Sequence, residues 1–165
     1  MAPPTASSAG EPARVVLDTN VVLDWLYFAD PRCTALGDAV AAGRVRWIAS
    51  AAMLDEIEHV VARGRLGTRW PDGPASVRDG WRRWATMVDE APTAAPFGMR
   101  CTDPDDQKFI DLALAARAAA LLSADRAVLR LARRARTCGL AITTVSRWQP
   151  AAAEERRDIS SEATR

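Results

Sequence analysis

Apolar residues occur in short runs whose period changes along the chain. Val15-Val16-Leu17 is an unbroken run of strand type, and beyond Asp18-Thr19-Asn20 the apolar positions Val21, Val22, Leu23, Trp25 and Leu26 take helical spacing. Val45 to Ala49 reads as a second strand. Ser50 stands where it can cap a helix whose Met53, Leu54, Ile57, Val60 and Val61 follow the i, i+3, i+4 rule and which carries Glu56. Between Gly64 and Pro96 turn signals flank a predicted helix from Ala75 to Glu90 that bears Trp81 and Trp84. Asp103-Pro104-Asp105-Asp106 is a helix start, with a capping acid, proline at the first helical position and acids in the first turn, and the helix runs to about Arg117. Ala118 to Ser123 reads as a buried strand, and Asp125 can cap a helix that continues through Arg136 and closes at Gly139. Ala141 to Val145 is the last strand. Strands alternating with helices predict an α/β fold, a three-layer α/β/α sandwich with a mostly parallel central sheet.

Residues 1–12 are rich in Pro, Ala, Ser and Gly and read as a flexible leader. Residues 149–165 lack apolar periodicity and read as a disordered tail, which leaves 13–148 as the folded domain. The whole chain has 165 residues, enough for one ordinary core, with 48% hydrophobic and 26% charged residues. Its net charge of +1 excludes a polycation that coats nucleic acid nonspecifically, so any such contact must come from a local patch. No apolar run reaches membrane-spanning length and the first residues do not form a signal peptide, so the expected address is the cytoplasm. Cys33, Cys101 and Cys138 are far apart, without zinc spacing, and are expected as reduced, partly buried thiols.

The chemistry is narrowed by scarcity. Lys108 is the only lysine and His59 the only histidine, which leaves little room for Schiff-base catalysis, a P-loop or a Ser-His-Asp triad. Carboxylates remain. In parallel α/β sheets the functional crevice lies beyond the carboxyl ends of the strands. Asp18 follows one predicted strand and Asp125 follows another, while Glu56 and Asp106 lie in the first turns of helices that start nearby. Acids gathered in one place repel and raise each other's pKa, so such a cluster stays ionised when a divalent cation neutralises it, and oxygen-only ligands select Mg²⁺ or Mn²⁺ over zinc. The competing explanation for Asp18, Asp106 and Asp125 is helix capping and dipole stabilisation. For Glu56 it is a solvated helix face shared with Asp55 and Glu58, and Asp55 is the alternative ligand.

Val15-Val16-Leu17-Asp18-Thr19-Asn20-Val21-Val22-Leu23 resembles the opening motif of PIN-domain nucleases, a hydrophobic strand, D-x-N and an apolar helix. Asp103-Pro-Asp-Asp106-Gln-Lys-Phe109-Ile-Asp-Leu-Ala113 resembles the family's D-P-D-D-x-x-F-x-x-x-A helix. Leu121-Leu122-Ser123-Ala124-Asp125 resembles its strand ending in T-x-D, with serine in place of threonine. The segment from Ser50 to Val61 resembles the one that supplies the family's central glutamate. The resemblance covers about Arg14 to Val145 and is closest to the toxin components of bacterial toxin–antitoxin pairs. It implies that Asp18, Glu56, Asp106 and Asp125 are the catalytic metal ligands, directly or through water, with Asn20 and Ser123 orienting them. The implied reaction is Mg²⁺- or Mn²⁺-dependent hydrolysis of RNA to 5′-phosphate and 3′-hydroxyl ends, and the implied partners are a cognate antitoxin protein and a second copy of the chain in a homodimer. The Trp-rich stretch from Gly64 to Pro96 matches no motif of the family.

Positive charge for an RNA substrate is offered by Arg126, Arg130, Arg133 and Arg134 on the helix after Asp125. A second group, Arg63, Arg65 and Arg69, lies near Trp70. Each cluster is equally readable as a solvated face, or as a dock for an antitoxin peptide. Two other classes compete with the ribonuclease: a PIN-fold RNA-binding or regulatory module that does not cleave, and a phosphotransfer domain of the haloacid-dehalogenase or receiver type. The former phosphotransfer type needs an aspartate where Asn20 stands, and both need a lysine after a later strand, whereas Lys108 lies at a helix start.

Overall fold

The computed structural model describes residues 10–67, 69, 71–89 and 98–150. Val15, Val16 and Leu17 are each no more than 2% exposed. Strand β1 (Ala13–Leu17) therefore lies in the middle of the sheet with both faces covered, as an unbroken apolar run requires. Around it stand β2 (Val45–Ala49), β3 (Ala85–Met87), β4 (Ala120–Leu122) and β5 (Ala141–Thr143) in the order β3-β2-β1-β4-β5. Every adjacent pair is parallel.

The chain winds outward from β1 through β2 to β3, then returns across β1 to β4 and ends at β5. Right-handed crossovers place α1 (Thr19–Val22), α2 (Thr34–Ala41), α3 (Ala51–Ala62) and α4 (Gly73–Trp84) on one face. The other face receives α5 (Gln107–Ala115), α6 (Arg126–Leu129) and α7 (Ala132–Ala135). The connections leaving β1 and β4 thus diverge, and a crevice opens between the carboxyl ends of these two neighbouring strands. The result is an all-parallel α/β/α sandwich. No described helix is long and apolar enough to cross a membrane.

Several expected elements change at their ends. The helix predicted over Ala75 to Glu90 starts at Gly73 and stops at Trp84, because the chain turns directly into β3 and completes the sheet beside β2. The helix predicted from Asp125 through Arg136 is broken: α6 ends at Leu129, α7 resumes at Ala132, and a 3-10 turn, Arg136–Cys138, closes at Gly139 with φ 77°. Pro104–Asp106 is a 3-10 turn that leads into α5, which ends at Ala115. Ser50 occupies the cap position of α3, yet its side chain makes no capping bond. The helix expected from Val21 to Leu26 is α-helical only to Val22 and continues as a π-helical turn over Leu23–Tyr27, and the helix α2 is an addition that the pattern does not predict. The cysteines are unpaired, but only Cys33 is buried, and Cys138 is exposed rather than partly buried. Most of the expected leader and tail lies outside the described residues.

The tryptophans have a packing role. Trp47 on β2 is 1% exposed and meets Trp25 edge-on at 5.7 Å and Trp81 at 4.7 Å between ring centroids. The backbone of α4 comes close to the π-helical turn because Gly80 faces Leu26, where a Cβ would stand 2.6 Å from the Leu26 Cδ2 atom. Trp47→Ala removes the ring that joins three elements and should cost about 3–5 kcal/mol of folding stability. Urea unfolding followed by circular dichroism checks this, and a loss below about 1 kcal/mol would show that the aromatic cluster does not hold this layer.

Candidate active site

The register between β1 and β4 sets Leu17 against Leu122. One residue further on, the same register brings Asp18 to Ser123. Asp18 is 2% exposed, and a carboxylate so placed needs donors, because its desolvation costs several kcal/mol. Both oxygens are engaged: its Oδ1 accepts the Asn20 backbone N–H at 2.7 Å, capping α1, and its Oδ2 accepts a bond from the Ser123 hydroxyl. The Ser123 Oγ in turn accepts the Asp125 N–H at 3.0 Å, and Asp125 caps α6 by accepting the Ala127 N–H at 2.6 Å. Burial still raises the pKa of Asp18, helped by the charge of Asp125, while the Ser123 and Asn20 bonds oppose the rise.

Asp106 enters from the 3-10 turn before α5. Burial, then the charges of Asp125, Asp103 and Asp18, push its pKa up to about 6 against the pull of Lys108. Its Oδ2 is buried and has no hydrogen-bond partner. The turn is fixed from outside the cluster: Asp103 caps it at the Asp105 N–H, 3.0 Å, and Gln107 accepts the Cys101 N–H at 2.7 Å while donating to the Met99 carbonyl and to Asp111. Asp111 is thereby a brace for the approaching chain.

Glu56 stands apart from the three aspartates in its partners. Its Oε1 accepts the Thr19 hydroxyl at 2.8 Å and its Oε2 is paired with the Lys108 ammonium. Neighbouring Asp55 is exposed and lines, with Glu56, His59, Arg63, Asp105 and Lys108, an open groove of about 590 Å³. The structure therefore groups Asp18, Asp106, Asp125 and Ser123, joins Glu56 to them through Thr19, and leaves the Asn20 side chain exposed with only its backbone bonded to Asp18.

The arginines divide. Arg126, Arg130, Arg133 and Arg134 are all exposed, but Arg134 is also tied down, donating to the Gly98 carbonyl at 3.1 Å. The break between α6 and α7 means that these four do not share one continuous helix face. Arg65 is exposed in the turn after α3, and Trp70 lies outside the described residues. Thr19 and Lys108 are the site residues that the sequence reading passed over. The available signals were the position of Thr19 directly after Asp18 and the solitary status of Lys108 two residues beyond Asp106.

Among the described residues no three Asp, Glu, His or Cys side chains form a ready-made metal cage. The donors nevertheless suit a hard ion that keeps much of its water: they are carboxylates with lone pairs to spare, one oxygen is buried without a partner, and their charges destabilise one another.

Comparison with known proteins bears on this arrangement. The family model described as PIN domain matches residues 14–127, a span that contains all four acids. No curated protein matches the chain in sequence. Among solved structures, the fold is similar to VapBC2 from Rickettsia felis bound to a DNA fragment from their promoter, with a TM-score of 0.55 and 13% identity over 78% of this chain and 96% of that one. At that identity the likeness shows the fold alone.

The raised pKa of Asp106 gives a signed expectation. A carboxyl whose folded-state pKa of about 6 exceeds its unfolded value of 3.8 favours the native state when protonated, and this contribution is lost as pH rises through about 6. Asp106→Asn removes the penalty and no capping bond. The metal-free variant should therefore melt above wild type at neutral pH, and the gap should close as pH falls below about 4. Thermal melts across that range in chelator check it, and an equal gap at every pH would refute the electrostatic cause.

Proposed function

The chain belongs to the PIN-domain family, and from that membership and its acidic pocket we propose that it is a Mg²⁺- or Mn²⁺-dependent endoribonuclease, the toxin of a toxin–antitoxin pair. The observation that carries the reading is the buried, unpartnered oxygen of Asp106 facing the charges of Asp18 and Asp125. Capping accounts for Asp18 and Asp125, each of which bonds a helix-start N–H. It does not account for Asp106, whose side chain caps nothing.

Asp18, Asp106 and Asp125 would hold the ion. When bound, it would supply an activated water and neutralise charge on the phosphoryl oxygens. The protein's own contribution is placement. Ser123 and the Asn20 N–H fix the Asp18 carboxylate, the cap at Ala127 fixes Asp125, and the cap and Gln107 clamp around the 3-10 turn fix Asp106. Lys108, His59 and Arg63 along the groove beside Glu56, and exposed Arg126 and Arg130 beyond Asp125, offer phosphate contacts to a single strand. The toxin assignment and a protein antitoxin partner are supported by the motif resemblance and by the structural likeness to a protein whose complex is VapBC2. A homodimer is carried over from the resemblance.

Asp18→Asn should leave the fold intact and slow metal-dependent cleavage of single-stranded RNA by roughly 10² to 10⁴. The isosteric change opens no cavity and relieves repulsion, but an amide has one acceptor oxygen where the carboxylate has two, so the Asn20 N–H or the Ser123 hydroxyl loses its acceptor at a cost of about 1–3 kcal/mol and the melting temperature should fall modestly. A capping role alone gives the same lower melting temperature with unchanged cleavage. If the wild-type chain cuts no RNA with either ion and its expression does not arrest growth, a non-cleaving RNA-binding module replaces this reading.

A further inference from the structure

Two carboxylates at this site are in opposite conditions. Asp106 has a buried oxygen with no partner. Glu56 has both oxygens engaged, one by the Thr19 hydroxyl and one by the Lys108 ammonium. Lys108 is itself held in place: its Nζ also donates to the Asp105 carbonyl at 2.6 Å and lies 5.0 Å from the centre of the Phe109 ring. We propose that Lys108 acts as a built-in cation at Glu56, so that this chain takes a single divalent ion at the aspartates, with the ammonium supplying positive charge to the substrate phosphate on the Glu56 side.

The inference rests on the metal-dependent reading above and assigns its stoichiometry. An ammonium already seated on a carboxylate opposes a divalent ion there twice over, by occupying an oxygen and by repulsion. Charges of +1 and +2 about 6 Å apart repel, even at the dielectric of water, by enough to weaken binding about tenfold. Lysine also suits the second half of the role. Its ammonium carries three donor protons, and Glu56 and the Asp105 carbonyl use two, leaving one for a phosphate oxygen in the groove that Lys108 lines.

Mn²⁺ binding to the full chain, counted by electron paramagnetic resonance of the free ion, tests this without reference to activity. Wild type should bind one ion per chain. Lys108→Met should admit a second, with that step tightened by about tenfold, whereas Lys108→Arg should stay at one. Adding Glu56→Gln to Lys108→Met should return the count to one. Two ions in the wild type, or one in a folded Lys108→Met, overturns the inference and leaves the ribonuclease reading standing. No ion in the wild type overturns both, and Lys108→Gln supplies the neutral variant if Lys108→Met fails to fold.

Discussion

The hydrogen bond between the Ser123 hydroxyl and the Asp18 carboxylate fixes the end of the β1–β4 pair, and much of the site is laid out from it. Ser123 is fully buried and Asp18 almost so, which means that neither has water to fall back on. The hydroxyl satisfies one partner as donor and another as acceptor. Through the first bond it makes a buried acid tolerable, and through the second, to the Asp125 N–H, it sets where α6 begins. The same Asp18 starts α1 through the Asn20 N–H. Two strands, two helix starts and two acids are thus referred to a single oxygen, and the crevice at the switch of the winding receives its chemistry from the strand pair that defines it.

This arrangement is locally unfavourable and globally supported. Burial, with the charges of Asp125, Asp103 and Asp18 added, forces the Asp106 pKa up to about 6. A sheet whose strands are buried to within 2% at Val15, Val16, Leu121 and Leu122 can carry that cost, since apolar burial of this kind exceeds the penalty of one displaced carboxyl. The Trp25, Trp47 and Trp81 cluster serves the same end on the other side of β1, joining the π-helical turn and α4 to the sheet. From the Trp-rich stretch, which carries no chemical motif, Trp81 has its place in that cluster.

What could be read from the sequence followed from local rules. Capping acids and proline at Asp103-Pro104, apolar runs at β1, β2 and β4, and the glycine stop at Gly139 are each decided within a few residues, and each lies where its pattern put it, apart from boundary shifts. Strand β3 was hidden because Ala85-Thr86-Met87 follows Trp84 without a turn signal and is a strand by virtue of its pairing with Trp47, Ile48 and Ala49. The break after Leu129 was hidden because Arg130 and Leu131 are good helix formers whose place is decided by packing. At the site, strand ends marked Asp18 and Asp125. The link from Thr19 to Glu56 to Lys108 joins three elements remote in sequence, and no spacing rule reaches that far.

That link also answers a difficulty that the net charge raises. On the proposed ribonuclease reading, a polyanionic strand would have to approach a site whose depths are negative, on a molecule whose charge of +1 offers no long-range attraction. The remedy lies in how charge is distributed with depth. Asp18 is buried and bonded, while Lys108 stands only about a quarter exposed at the wall of the groove, with Arg63 and His59 along it. Lys108 cancels the Glu56 charge at the groove wall, which leaves Asp55 and Asp105 as the groove's own acids beside the deeper charges around Asp106. A short-range field of this kind acts within roughly a Debye length, about 8 Å at physiological salt. Cations along the groove therefore count for more than the molecule's total, and a lysine seated on Glu56 fits the approach of a phosphate better than a bare carboxylate would.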